Sequence, residues 1–335
     1  MIATLLGSPY DNVRARALAA GLRSADQLRT LILEGAPASR RALPSRRLPV
    51  GGAVAEEGSG VAREQVAFGL ALCRHLPSAG RRLCDTLLER SWLEDLRALC
   101  RQAALPGPAT VSWQLHESFP GTFPLQELRE AKALTTLAVA LPPGPYRDLL
   151  RKNLRSPERT GDPALLDDGL LLCYWRQVAA CCARLPSLQR RQAENVLGRR
   201  ADIDLFRLLW RARRSSLPPA TLRDRFPPLG LGRELSGKHL TTSLFWQRVR
   251  RRFPGIFEPP EYGDAAGARS ETALLRRLRL ELWSLLREAP FGIAGVLAAL
   301  LLKELEIRDL QAISAGKRYR LPPAEIEELL CCLGR

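Results

Sequence analysis

The segment with the most to offer chemically is Gly232-Arg233-Glu234-Leu235-Ser236-Gly237-Lys238. Two glycines and a lysine at this spacing can wrap the phosphates of a nucleotide, with backbone N–H groups and the ammonium meeting the negative charge. A phosphate loop also needs Ser or Thr at the next position, to hold magnesium, and a buried strand ahead of it. Here His239 follows, and Phe226-Pro227-Pro228-Leu229 leads in like a turn. The segment is therefore expected to be a glycine loop ahead of a helix, with no nucleotide or other cofactor.

Other reactive residues are scattered. The eight cysteines stand at 73, 84, 100, 173, 181, 182, 331 and 332, none at CxxC spacing, and His75, His116 and His239 are far apart. That pattern argues against a zinc site and for small core residues in a reducing compartment. No Ser-His-Asp set or acid–base carboxylate pair can be picked out, so no catalytic residue is nominated.

Charge is the stronger signal. The chain carries a formal +16, and of its 51 basic residues only Lys132, Lys152, Lys238, Lys303 and Lys317 are lysines. Such a surplus suits an anionic partner: nucleic acid, a lipid surface or an acidic protein. Phe245-Trp246-Gln247-Arg248-Val249-Arg250-Arg251-Arg252-Phe253 interleaves aromatic and basic residues, as a nucleic-acid contact would. Its plainer reading is the last turn of an amphipathic helix ending at Pro254, with cations at the negative end of the dipole. Arg207, Arg211 and Arg214 form a stripe that either faces solvent or meets a partner. Glu304 and Arg308, four apart in the favourable order, read as a helix-supporting pair contributing a few tenths of a kcal/mol.

What must position these groups is helix. Leu, Ala and Arg dominate, strand-favouring residues are scarce, and 25 prolines and 25 glycines punctuate short elements. One pattern returns three times. Leu76-Pro77-Ser78 is followed, nineteen residues after the proline, by Leu96 in Asp95-Leu96-Arg97. Leu185-Pro186-Ser187 reaches Leu205 in Asp204-Leu205-Phe206 at the same interval. Ala289-Pro290 reaches Leu310 in Asp309-Leu310-Gln311 after twenty residues. Apolar residues recur at offsets 0, 3, 4 and 7 from the first two leucines, one face of a helix, while the third copy departs at Ser314 and Lys317. Cys73, Cys182 and Leu286 stand four residues before each proline, which predicts core positions for both cysteines. Each unit reads as a long helix, a proline break, a second helix, an Asp-Leu helix and a Leu-Pro stop.

The expected fold is all-α: three similar helical lobes with pseudo-threefold repetition, over residues 1–115, 116–228 and 229–335. Gly35 to Gly60 is expected to be a mobile loop of the first lobe. Asn153 to Pro163 and Phe253 to Ser270 are expected connections, and Thr110 to Pro124 an irregular stretch. Phe291 to Leu302 is apolar but shorter than the roughly twenty residues a span requires, so it reads as a buried helix.

The three Asp-Leu blocks, the closing run Leu302-Lys303-Glu304-Leu305-Glu306-Ile307-Arg308-Asp309-Leu310 through Gly316-Lys317-Arg318-Tyr319, and the opening Tyr10-Asp11-Asn12-Val13-Arg14-Ala15-Arg16 carry a family likeness. Together they resemble the C-type subunit of V/A-type rotary ATPases, the d-type subunit of the eukaryotic enzyme. The resemblance spans most of the chain. It implies a funnel of three lobes without catalytic residues, peripheral on the cytoplasmic face of the membrane. Such a subunit links the central shaft to the proteolipid ring and supports proton or sodium transport. Arg14, Arg16, Arg207, Arg211, Arg214, Lys303, Glu304 and Arg308 are the candidate partner-binding residues. The chain departs from the family in having Asp-Leu where Asn-Leu is usual, and Ala298 to Leu302 where an aromatic residue commonly precedes the Lys-Glu step. The rival reading is a basic helical nucleic-acid-binding adaptor.

Overall fold

The computed structural model describes residues 2–33, 57–104, 125–131, 133–154, 163–214, 226–236, 242–253, 264–288 and 292–333. Every regular element among them is an α-helix: α1 (Ile2–Ala19), α2 (Ala25–Leu33), α3 (Glu57–Cys73), α4 (Ser78–Ala104), α5 (Leu125–Glu130), α6 (Leu134–Ala140), α7 (Pro145–Leu154), α8 (Pro163–Ala183), α9 (Ser187–Arg214), α10 (Gly230–Leu235), α11 (Thr242–Arg252), α12 (Asp264–Glu288), α13 (Ile293–Arg318) and α14 (Pro323–Leu329).

Two proline breaks of the sequence are helical hairpins, α3 into α4 and α8 into α9; α12 and α13 pack as a third pair, with Pro290 between them outside the described residues. The first two turn in the same way. Leu76 N–H donates to Cys73 O (3.2 Å) and Leu185 N–H to Cys182 O (3.1 Å), closing the outgoing helix. Each proline then starts the next, its carbonyl accepting from Arg81 N–H (2.9 Å) or Arg190 N–H (2.8 Å). Proline suits that position because its missing N–H is one a helix start leaves unpaired anyway. In the third hairpin Gly292 caps α13 at φ 98°, a conformation that favours glycine.

Each incoming helix is longer than the sequence suggested. The expected second helix and Asp-Leu helix are one continuous helix of 27, 28 and 26 residues in α4, α9 and α13. No proline, cap or glycine pair interrupts the run, so nothing ends it early. Three other boundaries also shift. Residues 57–60 of the expected mobile loop are the first turn of α3, while 34–56 lie outside the described residues. Of the expected connection 253–270, residues 264–270 open α12. Gly232 lies within α10 rather than in a loop before a helix, and Lys238 and His239 lie outside the described residues, as does 110–124.

α13 is the central element. Every residue from Ile293 to Lys303 is buried, because α1, α3, α9 and α12 pack around it. A helix apolar on all sides is stable only when so enclosed, and this is the buried helix expected from the run up to Leu302. The starts of the three long helices lie together. Gly80 of α4 sits against Ile293, where an added methyl would be 3.6 Å from its side chain, and a methyl on Gly292 would come 2.2 Å from Gln192 Oε1 of α9. α1 joins this point through Asn12, whose Nδ2 donates to Gly292 O at 3.1 Å. Toward their other ends the helices enter different apolar clusters. Leu96 belongs to the main core, Leu205 to a cluster with Phe226, Leu235, Val249 and Phe253, and Leu310 to one with Leu28, Ile326 and Leu330. Cys73, Cys182 and Leu286 are all buried.

Candidate functional site

The residues with the greatest electrostatic content form a buried ion network that joins α4, α9 and α13. At its centre Asp204 of α9 receives two bonds from Arg90 of α4, at 2.7 and 3.0 Å. It receives another from Arg200 Nη1 (3.1 Å) and one from Trp175 Nε1 of α8 (2.9 Å). Arg200 also grips Glu304 of α13 at 2.8 and 3.0 Å, while the Arg90 guanidinium lies 5.4 Å from the Tyr174 ring centroid. Burial works to raise the Asp204 carboxyl, but the charges of Arg200 and Arg90 overcome it and hold it well below the usual carboxylate range.

The network extends outward through the predicted arginine stripe. Arg207 makes a bidentate pair with Glu271 of α12, at 2.6 and 2.7 Å, and Arg308 lies 3.5 Å from the same carboxylate. Arg211 pairs with Asp168 of α8 and lies 3.8 Å from Asp167, which is itself held by Arg97 of α4. These arginines are thus committed to carboxylates of neighbouring helices. Reversing Arg211 would set a third carboxylate against Asp167 and Asp168, so that change is not neutral to the fold, contrary to a purely partner-facing stripe. The side chain of Arg214 lies outside the described residues.

Most of the remaining candidates bond to other parts of the chain. Lys303 Nζ donates to Glu64 of α3 and Glu306 of its own helix, both at 2.6 Å. Glu304 meets Arg200 rather than serving as a pair for Arg308, which instead reaches Leu329 O (3.2 Å) and Cys331 Sγ (2.8 Å). Arg16 fixes α1 to the third hairpin by donating to Leu286 O (2.7 Å) and Arg287 O (3.1 Å). Arg14 is half-buried, near enough to Asp11 to act on its carboxyl. The three Asp-Leu aspartates are all buried. Asp309 caps the chain after α14, accepting from Cys331 and Cys332 N–H at 2.8 Å each.

The interleaved segment 245–253 is the end of α11. Val249 and Phe253 are buried, Arg252 pairs with Asp202 at 2.7 Å, and Arg250 and Arg251 are exposed. The small cleft between α8 and α9, lined by Asp168, Leu171, Trp175, Asp204, Leu208 and Pro227, offers ≈ 10 Å³. About one water fills such a space, so it does not admit a nucleotide. Among the described residues no group of three or more His, Cys, Asp or Glu could hold a metal ion, and no helix is long and apolar enough to cross a membrane.

One titratable group lies apart from this network. Burial pushes the Glu89 carboxyl of α4 up to about 7, with the Tyr146 hydroxyl opposing and Asp85 adding to the rise. A raised carboxyl makes the folded state take up a proton first, so stability grows as pH falls from about 7 toward the ordinary value of 4.5. Chemical denaturation between pH 7.5 and pH 5 should therefore show wild type gaining stability relative to Glu89→Gln. A parallel pair of curves would remove Glu89 as the cause.

What the sequence did not reveal are the acidic partners: Asp167, Asp168, Glu271 and Glu64. The sequence also repeats a pair of arginines four and five residues after its first two hairpin prolines, Arg81-Arg82 and Arg190-Arg191.

A family model described as ATP synthase (C/AC39) subunit matches residues 71–329. The C-type subunit of the A-type ATP synthase of Methanosphaera stadtmanae is 24% identical over 219 residues, covering 61% of this chain and 56% of that protein. The match thus spans little more than half the length of that relative.

Proposed function

The chain belongs to the ATP synthase (C/AC39) subunit family, that of a non-catalytic structural subunit of V/A-type rotary ATPases, and from that premise we propose that it couples the rotor. In this reading three helical lobes, residues 1–115, 116–228 and 229–335, form a funnel on the cytoplasmic side of the membrane. The funnel receives the foot of the central shaft and rests on the proteolipid ring, so that torque passes between them during proton or sodium transport. The observation that carries it is the three proline-broken hairpins, whose long helices start together and end in separate apolar clusters.

A torque-bearing part needs stiffness more than a reactive group, and the ion network supports that role. Arg90, Arg200, Arg207 and Arg308 cross-link helices with planar forks that keep their charge at any working pH. Because those arginines are engaged internally, contacts to shaft and ring fall to other exposed side chains. The test is reconstitution from purified parts. The chain should co-elute with the shaft subunits and, separately, with the detergent-solubilised ring. A chain that ignores both yet retains nucleic acid at physiological salt would overturn the rotor reading and favour the nucleic-acid adaptor.

A further inference from the structure

The point where the three long helices start also carries a group of exposed arginines. Arg74, Arg184 and Arg287 stand two or three residues before the three prolines, and all are exposed. Arg81-Arg82 and Arg190-Arg191 follow the first two prolines in the same register, again exposed. The third hairpin has Ala294-Gly295 there, and α1 takes the space: a methyl on Gly295 would come 2.1 Å from Asn12 Oδ1. α1 brings arginines of its own, the half-buried Arg14 and the exposed Arg16. The acceptors of Arg16 are two carbonyls of the third hairpin, which leave its charge unneutralised. Arginine is thus supplied around the whole end, by side chains of the hairpins on two sides and by a docked helix on the third. The positive ends of three long helix dipoles lie beneath it. The carboxylates nearby are fewer. Glu194 is paired with Arg190 and Arg233, Asp11 is buried, Asp85 is half-buried, and Glu288 is exposed.

We propose that this end is a docking surface for an anionic lipid membrane, an addition to the rotor reading that rests on its membrane setting. The chemistry separates lipid from the other anionic partners. Stacking on single-stranded nucleic acid needs exposed aromatic rings, and among the described residues the exposed large aromatic side chain, Tyr319, belongs to the far end of α13. Protein interfaces draw their affinity from a desolvated apolar or aromatic centre, and charge spread over three turns provides none. An anionic leaflet needs no such centre. Basic residues held near it act additively, each strengthening binding about fivefold. Leu188 and Val13, 67% and 65% exposed among these arginines, add apolar contacts at the headgroup level.

The experiment is co-sedimentation of the full chain with vesicles of phosphatidylcholine alone or mixed with phosphatidylserine. Wild type should bind the mixed vesicles, lose them as salt rises, and ignore phosphatidylcholine. Arg82→Gln with Arg191→Gln, both exposed, should weaken that binding about 25-fold, two steps of about fivefold each, with the thermal unfolding midpoint unchanged. Arg318→Gln with Arg320→Gln, about 39 Å away along α13, should leave it intact. Equal binding to both vesicle types, no binding to either, or equal losses in the two variants would each overturn the proposal, as would duplex RNA binding more tightly than vesicles. Vesicles carry no shaft or ring, so failure here leaves the reconstitution result standing on its own.

Discussion

Replacing Asp204 with alanine is expected to lower the free energy of unfolding by about 3–5 kcal/mol, the loss seen when one partner of a buried ion pair is removed. Asp204 is 1% exposed, and its partners Arg90 and Arg200 are 4% and 6% exposed. Without the carboxylate those two guanidiniums confront each other with little water to screen them, and Trp175 Nε1 loses its acceptor. Asp204→Asn should lose less, since it keeps the shape and one acceptor. The pH dependence has a definite sign. The folded carboxyl is held well below its ordinary 3.8, so the contribution is complete near neutrality and is lost as pH falls through the folded value. Asp167 and Glu271 are depressed too, each against its own burial and by its arginine partners. Urea unfolding should therefore show a constant gap between wild type and Asp204→Ala near pH 7, narrowing once pH drops below 3.8. A gap under about 1 kcal/mol at pH 7 would mean that water reaches the site and that the network is ordinary surface charge.

This network marks where sequence reasoning stops. The hairpins were legible because their markers are local. A proline, the residue four before it and the leucine nineteen after it lie on one stretch of chain, and helical periodicity carries them to one face. Cys73 and Cys182 follow from that register, and the buried helix up to Leu302 follows from the length of its unbroken apolar run. The arginine stripe was legible only as a stripe. Arg207 and Glu271 are 64 residues apart, Arg211 and Asp168 are 43, Arg200 and Glu304 are 104, and Arg90 and Asp204 are 114. A helical wheel places these arginines away from the apolar face, and solvent or a foreign partner then looks like their natural neighbour. Here α8, α12 and α13 cover that side with carboxylates, which no local pattern announces. The Glu304 and Arg308 spacing misleads for the same reason, because a better-placed guanidinium arrives from α9. Each long helix runs through its Asp-Leu step, which looks like a fresh start in the sequence although nothing in the residues before it breaks a helix.

The Lys-Glu step of α13 gives the second large effect. Lys303 is almost fully buried, as is Glu306, while Glu64 reaches in from the exposed side of α3. Arg23, in the turn between α1 and α2, completes the group by donating to Glu306 from its backbone N–H (2.8 Å) and its Nη1 (2.9 Å). Methionine has nearly the length of lysine and fills an irregular space well, so Lys303→Met tests the charge rather than the volume. Its ammonium gone, Glu306 keeps only Arg23 against the cost of burial, and the expected loss is about 3 kcal/mol, the lower end of the range because one cation remains. Adding Glu306→Gln should restore part of that loss, since the second change removes the uncompensated charge that the first one creates. The pair should therefore be less destabilising than the sum of its parts, by more than the roughly 0.5 kcal/mol within which independent sites add. Urea unfolding of the two single variants and the double variant decides it. Simple additivity would show that Lys303 and Glu306 do not share one energetic unit, and that α1, α3 and α13 are held together by apolar packing alone.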